Sequence, residues 1–197
     1  DLIWGYTGIL SLGQGVFFGL GAYCMGMHMM LTIGKESVYG SDLPDFMVWN
    51  QVKELPLFWK PFYSFPVAVI GAILVPMLFA LVFGFFAFRS RIKGVYFAII
   101  TQALALAAWL VFNRNDTNLG GTNGLTDFKQ VLGYRLSEPG TQRALYVLTV
   151  LCLGGAYLLC RWIIRTRAGR VLVAVRDSEQ RVTFSGYTPA TYKLFVF

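Results

Sequence analysis

Ser11, Gln14, Thr101 and Gln102 are polar, uncharged side chains set within otherwise apolar stretches. An unpaired amide or hydroxyl in hydrocarbon is costly, so such groups face protein, water or cargo. Two roles are open to each of them: a hydrogen bond between helices, or a place along a path for a solute that itself forms hydrogen bonds. No Asp, Glu, Lys or Arg interrupts the long apolar runs away from their ends. That argues against a proton-relay pump or a voltage sensor, which need charge at membrane depth. A neutral or zwitterionic small polar cargo fits better.

Other chemistries find no residues to carry them. His28 is the only histidine, no serine or cysteine sits in a nucleophile pattern, and no membrane-depth carboxylate pair exists, so the chain reads as a non-enzyme. A lone histidine near a span end is a packing or interfacial residue, and His28 is given no role. Gly120, Gly121, Thr122, Asn123 and Gly124 come nearest to a phosphate-binding loop, but Leu125, Thr126 and Asp127 follow where a lysine is needed. This stretch is either an outer connector or a vestibule loop whose backbone folds back toward the pathway. Cys24, Cys152 and Cys160 are odd in number and lie in apolar runs, which suggests small core residues and neither disulfides nor a metal site.

The elements that must position these groups are membrane spans. With 56% hydrophobic, 16% aromatic and only 14% charged residues, the chain lacks the exterior of a water-soluble domain. It starts at Asp1 and stops in the apolar string Leu194, Phe195, Val196, Phe197, so it is expected to be an internal piece, a single transmembrane domain over 1–197. Crossing about 30 Å of hydrocarbon takes about 20 apolar residues in a helix. Runs of suitable length are Ile9 to Ile33, Phe65 to Phe88, Val95 to Phe112 and Ala144 to Ile164, with a fifth beginning near Tyr192. The expected fold is therefore an all-α polytopic helix bundle.

The first run is unusual, because seven of the 21 glycines fall between Gly5 and Gly26 together with Thr7, Ser11 and Gln14. Broken or polar backbone at membrane depth survives only when buried in protein or lining a wet cavity, which predicts a half-helix or a re-entrant segment over Gly5 to Gly15. Gly15, Gly19, Ala22 and Gly26 then share one helical face, a stripe that lets another helix approach closely. Pro76 predicts a kink in the second span and a freed carbonyl that a neighbouring helix must satisfy.

Lysine and arginine counts set the sidedness. The turn Arg89, Ser90, Arg91, Ile92, Lys93 is inside, which places loops 34–64 and 113–143 outside, and 89–94 and 165–191 in the cytoplasm. The outer loops carry seven basic residues (Lys35, Lys53, Lys60, Arg114, Lys129, Arg135, Arg143) and seven acidic ones (Glu36, Asp42, Asp45, Glu54, Asp116, Asp127, Glu138). The inner side holds ten basic residues, counting Arg161, against Asp177 and Glu179. Trp49, Trp59, Phe62 and Tyr63 before the second span, and Trp162 at the end of the fourth, read as interfacial aromatics.

Directly after the fourth span, RTRAGRVLVAVRDSEQRV places five arginines and two acids. As one helix over Gly169 to Gly186 it sets Val171, Leu172, Val175 and Val182 on one face and Arg170, Arg176, Asp177, Glu179, Gln180 and Arg181 on the rest, with Gly186 and Pro189 stopping it. It could lie on anionic lipid or enter a groove of a partner protein. Arginines alone would satisfy lipid, whereas mixed signs around an apolar stripe favour the protein partner.

Four stretches together, GYTGILSLGQGVFFGLGAY (Gly5 to Tyr23), GVYFAIITQAL (Gly94 to Leu104), GGTNGLTDF (Gly120 to Phe128) and GRVLVAVRDSEQRVTFSGY (Gly169 to Tyr187), resemble the permeases of branched-chain amino acid ABC importers in order and spacing. Gln102 and the run FNRNDTNLGGTNGLTDFK are most similar to the urea-transport branch, while Gln14 stands where the family often has His. The resemblance implies a bacterial inner (plasma) membrane permease working by alternating access. Its implied partners are a second homologous permease, two cytoplasmic ATPase subunits that bind the ATP, and an extracytoplasmic substrate-binding protein. No cofactor in this chain, no metal and no nucleic acid are implied. The segment 165–188 would be the cytoplasmic coupling-helix loop, with Arg170, Leu172, Val175, Arg176, Glu179, Arg181 and Gly186 meeting the ATPase. Ser11, Gln14, Thr101, Gln102 and Asn123 would line the path for urea or a similar solute. A branched-chain amino acid permease and a passive urea or amide channel are the alternatives.

Overall fold

The computed structural model describes residues 2–34, 39–90, 92 and 94–197; Asp1 and the charges counted at Lys35, Glu36, Arg91 and Lys93 lie outside the described residues. Regular structure among the described residues is helical apart from one short hairpin. After the short α1 (Leu2–Thr7) comes α2 (Gln14–Ile33), the first of four helices among the described residues that are long and apolar enough to cross a membrane. The others are α4 (Phe65–Arg89), α5 (Val95–Phe112) and α6 (Pro139–Arg165), with α3 (Asp45–Trp49) between α2 and α4.

Local chemistry sets their ends. Gly8 has φ +68, a left-handed conformation that L side chains rarely adopt, and it stops α1, so the first span starts at Gln14 and not at Ile9. Gly5 to Gly15 is thus a broken helix with a non-helical stretch between the two pieces. Gly94, at φ +58, precedes α5. Pro139, whose ring pre-sets a helical φ, opens α6 five residues earlier than the apolar run at Ala144 suggested. The fifth apolar segment forms α9 (Pro189–Val196), which likewise starts at a proline, ahead of the expected Tyr192.

The chain folds as two compact units, one of Gly15–Met77 and Leu104–Ala144, the other of Asp1–Gln14, Leu78–Ala103 and Leu145–Phe197. In the first unit, Met27, Met30, Leu31 and Ile33 of α2 pack with Phe46 and Met47 of α3 and with Trp59. Trp59 is 0% exposed, and its indole N–H donates to the Asn118 carbonyl at 3.1 Å. It is therefore a core residue and not the interfacial ring expected; Trp49 and Tyr63 are exposed as a wet-edged ring should be, and Phe62 is half-buried. His28 is a packing residue: its Nδ1 lies 2.8 Å from the Phe62 carbonyl oxygen, where it must carry the proton, and its ring meets the edge of Phe65.

Pro76 removes the N–H that would pair with the Ala72 carbonyl four residues back, and α2 reaches that same oxygen. A Cβ on Gly21 would sit 2.8 Å from Ala72 O, so only glycine permits the approach. Gly26 packs on Leu125, but Gly15 and Gly19 meet nothing within 4 Å and Ala22 is exposed. Of the cysteines, Cys24 is buried, whereas Cys152 is exposed and Cys160 half-buried, because α6 buries no residue against the rest of the chain.

The outer-loop candidate 113–143 is built from short turns and the hairpin β1 (Gln130–Val131) and β2 (Tyr134–Arg135), turned by Leu132 and Gly133 at positive φ. Leu125 and Phe128 fold back onto the α2 core, and the Gln130 amide donates to the Thr32 carbonyl at 3.1 Å. Outside the spans, the exposed Arg114–Asp116 pair (2.6 Å) holds the Asp116 carboxyl below its ordinary range through its hydrogen bond and charge.

The second unit is centred on phenylalanines. Phe88 stacks on Phe97 with ring centroids 5.1 Å apart, and Phe197 meets both edge-on. Ile9 and Ala87 complete this cluster.

Candidate functional site

Two places in the second unit combine unusual backbone with polar chemistry. The first is the non-helical stretch between α1 and α2. Its Leu12 N–H donates to Thr101 Oγ1 at 3.0 Å, while the same hydroxyl donates to the Ala98 carbonyl at 2.9 Å. Thr101 is 0% exposed. A Cβ on Gly13 would lie 2.7 Å from the Thr101 carbonyl oxygen, so this glycine is what allows the stretch to lie flat on α5. Thr101 thus does what irregular backbone at membrane depth requires: it satisfies a donor that no helix turn can. Its hydroxyl thus ties α5 to the non-helical stretch.

Ser11 lies beside this anchor in sequence, and its Oγ is buried with no hydrogen-bond partner among the described residues. A buried hydroxyl without a partner is rare enough to need an explanation. Gln14, at the start of α2, and Gln102, next to Thr101, both have exposed side chains. Asn123 belongs to the other unit, where it lines a cleft with Tyr39, Asp45, Trp49 and Asp127. The structure therefore groups Ser11, Gln14, Thr101 and Gln102 in one unit and puts Asn123 in a different one.

The second place is the segment after α6. The single helix expected over Gly169 to Gly186 is two helices, α7 (Arg167–Asp177) and α8 (Glu179–Phe184). Ser178 adopts extended backbone between them, and its N–H closes the last turn of α7 on the Ala174 carbonyl. Serine breaks a helix readily because its side chain competes for backbone groups. Leu172, Val175 and Val182 are buried and Val171 is half-buried, so the apolar stripe faces this chain: α7 packs against α1 and α9. Leu172 and Val175 are core residues here, not surface groups.

Two of the charged residues are also engaged inside the chain. Glu179 pairs with Lys193 of α9 at 3.0 Å, with side chains 28% and 11% exposed. Arg176 donates from Nε to Asp177 at 3.0 Å and from Nη1 to the Gly5 carbonyl at 2.8 Å. Exposed on this segment are Arg170, Arg176, Asp177, Gln180, Arg181 and Gly186, together with Phe184, which is 90% exposed. A concavity lies on either side of α8, one lined by Arg170, Asp177, Arg181 and Tyr187, the other by Arg89, Gln180 and Phe184. Phe184 escaped the sequence reasoning; the available signal was a large ring placed just before Ser185 and Gly186, off the apolar stripe.

No curated protein and no solved structure matches the chain. One family does: the family described as branched-chain amino acid transport system / permease component matches residues 1–197. With four apolar helices of spanning length and a match over its whole length, the chain is a multi-pass membrane protein that belongs to the branched-chain amino acid transport system permease-component family.

Proposed function

We propose that this chain is the permease subunit of an ATP-driven importer, working by alternating access with a second permease, two cytoplasmic ATPase subunits and an extracytoplasmic binding protein, in a bacterial inner membrane. The observation that carries the reading is the build of α7 and α8: their apolar stripe is committed to this chain, and they present Phe184 with Arg170 and Arg181 outward. An aromatic anchor among arginines is the composition of an interface hot spot. A lipid-bound helix would instead turn its apolar stripe away from the protein.

The cargo is a small, uncharged hydrogen-bonder, urea before a short amide or a branched-chain amino acid. Gln14, Gln102 and the unpartnered Ser11 hydroxyl offer it donors and acceptors, and no charged side chain lies in the non-helical stretch. Asn123, in the glycine-rich turn, is a separate candidate contact for the cargo.

The test uses the complete transporter in proteoliposomes. Phe184→Ala is expected to weaken ATPase co-purification by about 2 kcal/mol or more, roughly thirtyfold in affinity. Gln102→Leu is expected to impair uptake of labelled urea while the assembly stays intact. Uptake without ATP would establish the passive channel instead, and preferential uptake of labelled leucine would move the cargo to branched-chain amino acids.

A further inference from the structure

We infer that Arg176 is the positioning residue that transmits movement of the α7–α8 docking helices to the non-helical stretch between α1 and α2. The inference rests on the ATPase-docking reading above and assigns Arg176 a role inside the chain in place of a contact with a partner.

The geometry is a three-point clasp. The guanidinium is held from its own helix by the Asp177 carboxylate (3.0 Å) and grips the Gly5 carbonyl in α1 (2.8 Å). Its aliphatic stem lies against Gly8, where a Cβ would come within 3.1 Å of Arg176 Cγ. Gly8 is the residue at which α1 ends, with φ +68, so the clasp closes on the hinge itself. From that hinge the backbone runs out of helical geometry to Leu12 and Gly13, which are fixed on Thr101 of α5. A shift of α7 therefore pulls on one end of this stretch while Thr101 holds the other. Ile9, Leu10 and Ser11 lie between the two fixed points, with Ile9 seated in the phenylalanine cluster. Residues at element ends that absorb a φ/ψ change are the usual hinges of such rearrangements.

A planar guanidinium suits this task, because two of its N–H groups point at different acceptors in fixed directions. An ammonium in its place keeps one of the two bonds. Removing the donors but keeping the stem, as in Arg176→Met, leaves the packing on Gly8 in place and cuts the grip on Gly5.

The experiment uses the assembled transporter with Cys24, Cys152 and Cys160 replaced by alanine and a reporter Leu10→Cys, labelled by a maleimide with and without vanadate-trapped nucleotide. With Arg176 intact, nucleotide trapping is expected to change the labelling rate by about fivefold or more, the low end of ordinary coupling between sites. In Arg176→Met the change is expected to vanish while the ATPase subunits still co-purify and still hydrolyse ATP. Arg176→Lys is expected to restore part of it. A full nucleotide-dependent change in Arg176→Met would overturn the inference, as would loss of the ATPase subunits from that variant, which would make Arg176 a partner contact. If no ATPase co-purifies even with Arg176 intact, the docking reading itself fails.

Discussion

Thr101→Val tests whether the non-helical stretch is held by one side chain. The substitution keeps the shape and removes only the hydroxyl that accepts from Leu12 N–H at 3.0 Å and donates to Ala98 O at 2.9 Å. Loss of the second bond matters little, because a helical carbonyl keeps its main-chain partner. Loss of the first leaves a backbone donor that non-helical geometry cannot pair. An unmade buried hydrogen bond costs about 1–3 kcal/mol, whereas side-chain bonds between membrane helices average about 0.6 kcal/mol and reach about 1.7. The smaller membrane values arise because the unfolded helices find other partners, a remedy less open to a main-chain N–H between two glycine-rich breaks. The expected loss is therefore about 1–2 kcal/mol. It would be read as a lowered midpoint in denaturant titration of the purified protein in micelles, followed by tryptophan fluorescence. Thr101→Ser keeps the hydroxyl and should recover most of that loss. If Thr101→Val were as stable as the parent, or if Thr101→Ser were equally damaged, the anchoring argument would be wrong.

Gly21→Ala should cost about 1–3 kcal/mol of stability, the usual cost of overpacking, read in the same titration; the added methyl meets the Ala72 carbonyl at 2.8 Å, and a backbone atom in a helix cannot move aside cheaply. Gly19→Ala, which meets nothing within 4 Å, is the control and should not destabilise the isolated chain, the better helix propensity of alanine adding up to about 1 kcal/mol. Trp59→Ala should cost about 3–5 kcal/mol through the cavity it leaves, and Trp59→Phe less, since a phenyl ring refills part of that space while losing the bond to Asn118. A harmless Trp59→Ala would return Trp59 to the membrane interface and disprove its place in the core.

Much of the architecture was legible in the chain, for reasons that are local. A span is defined by length and the absence of charge, so Phe65–Arg89 and Val95–Phe112 match their apolar runs within a residue. Breaks follow from glycine and proline, and the interruption before α2 was readable from the seven glycines near it. Family membership was also legible, because its motifs are stretches of residue types in order. What could not be read is which side of each helix finds a neighbour. In a membrane every face of a span is apolar, so hydrophobicity does not distinguish a buried face from one toward lipid. For that reason Gly21, and not the stripe of Gly15, Gly19, Ala22 and Gly26, makes the closest approach to the carbonyl that Pro76 frees. The amphipathic stripe of Leu172 and Val175 was correctly found, but sequence alone did not say that it covers α1 and α9 and leaves Phe184 outside. Composition and periodicity determined the spans, their breaks and the charge bias, all set by each residue's own chemistry. Contacts between segments far apart in the chain, such as Leu12 with Thr101 or Arg176 with Gly5, belong to the tertiary structure, because they depend on where two backbones meet.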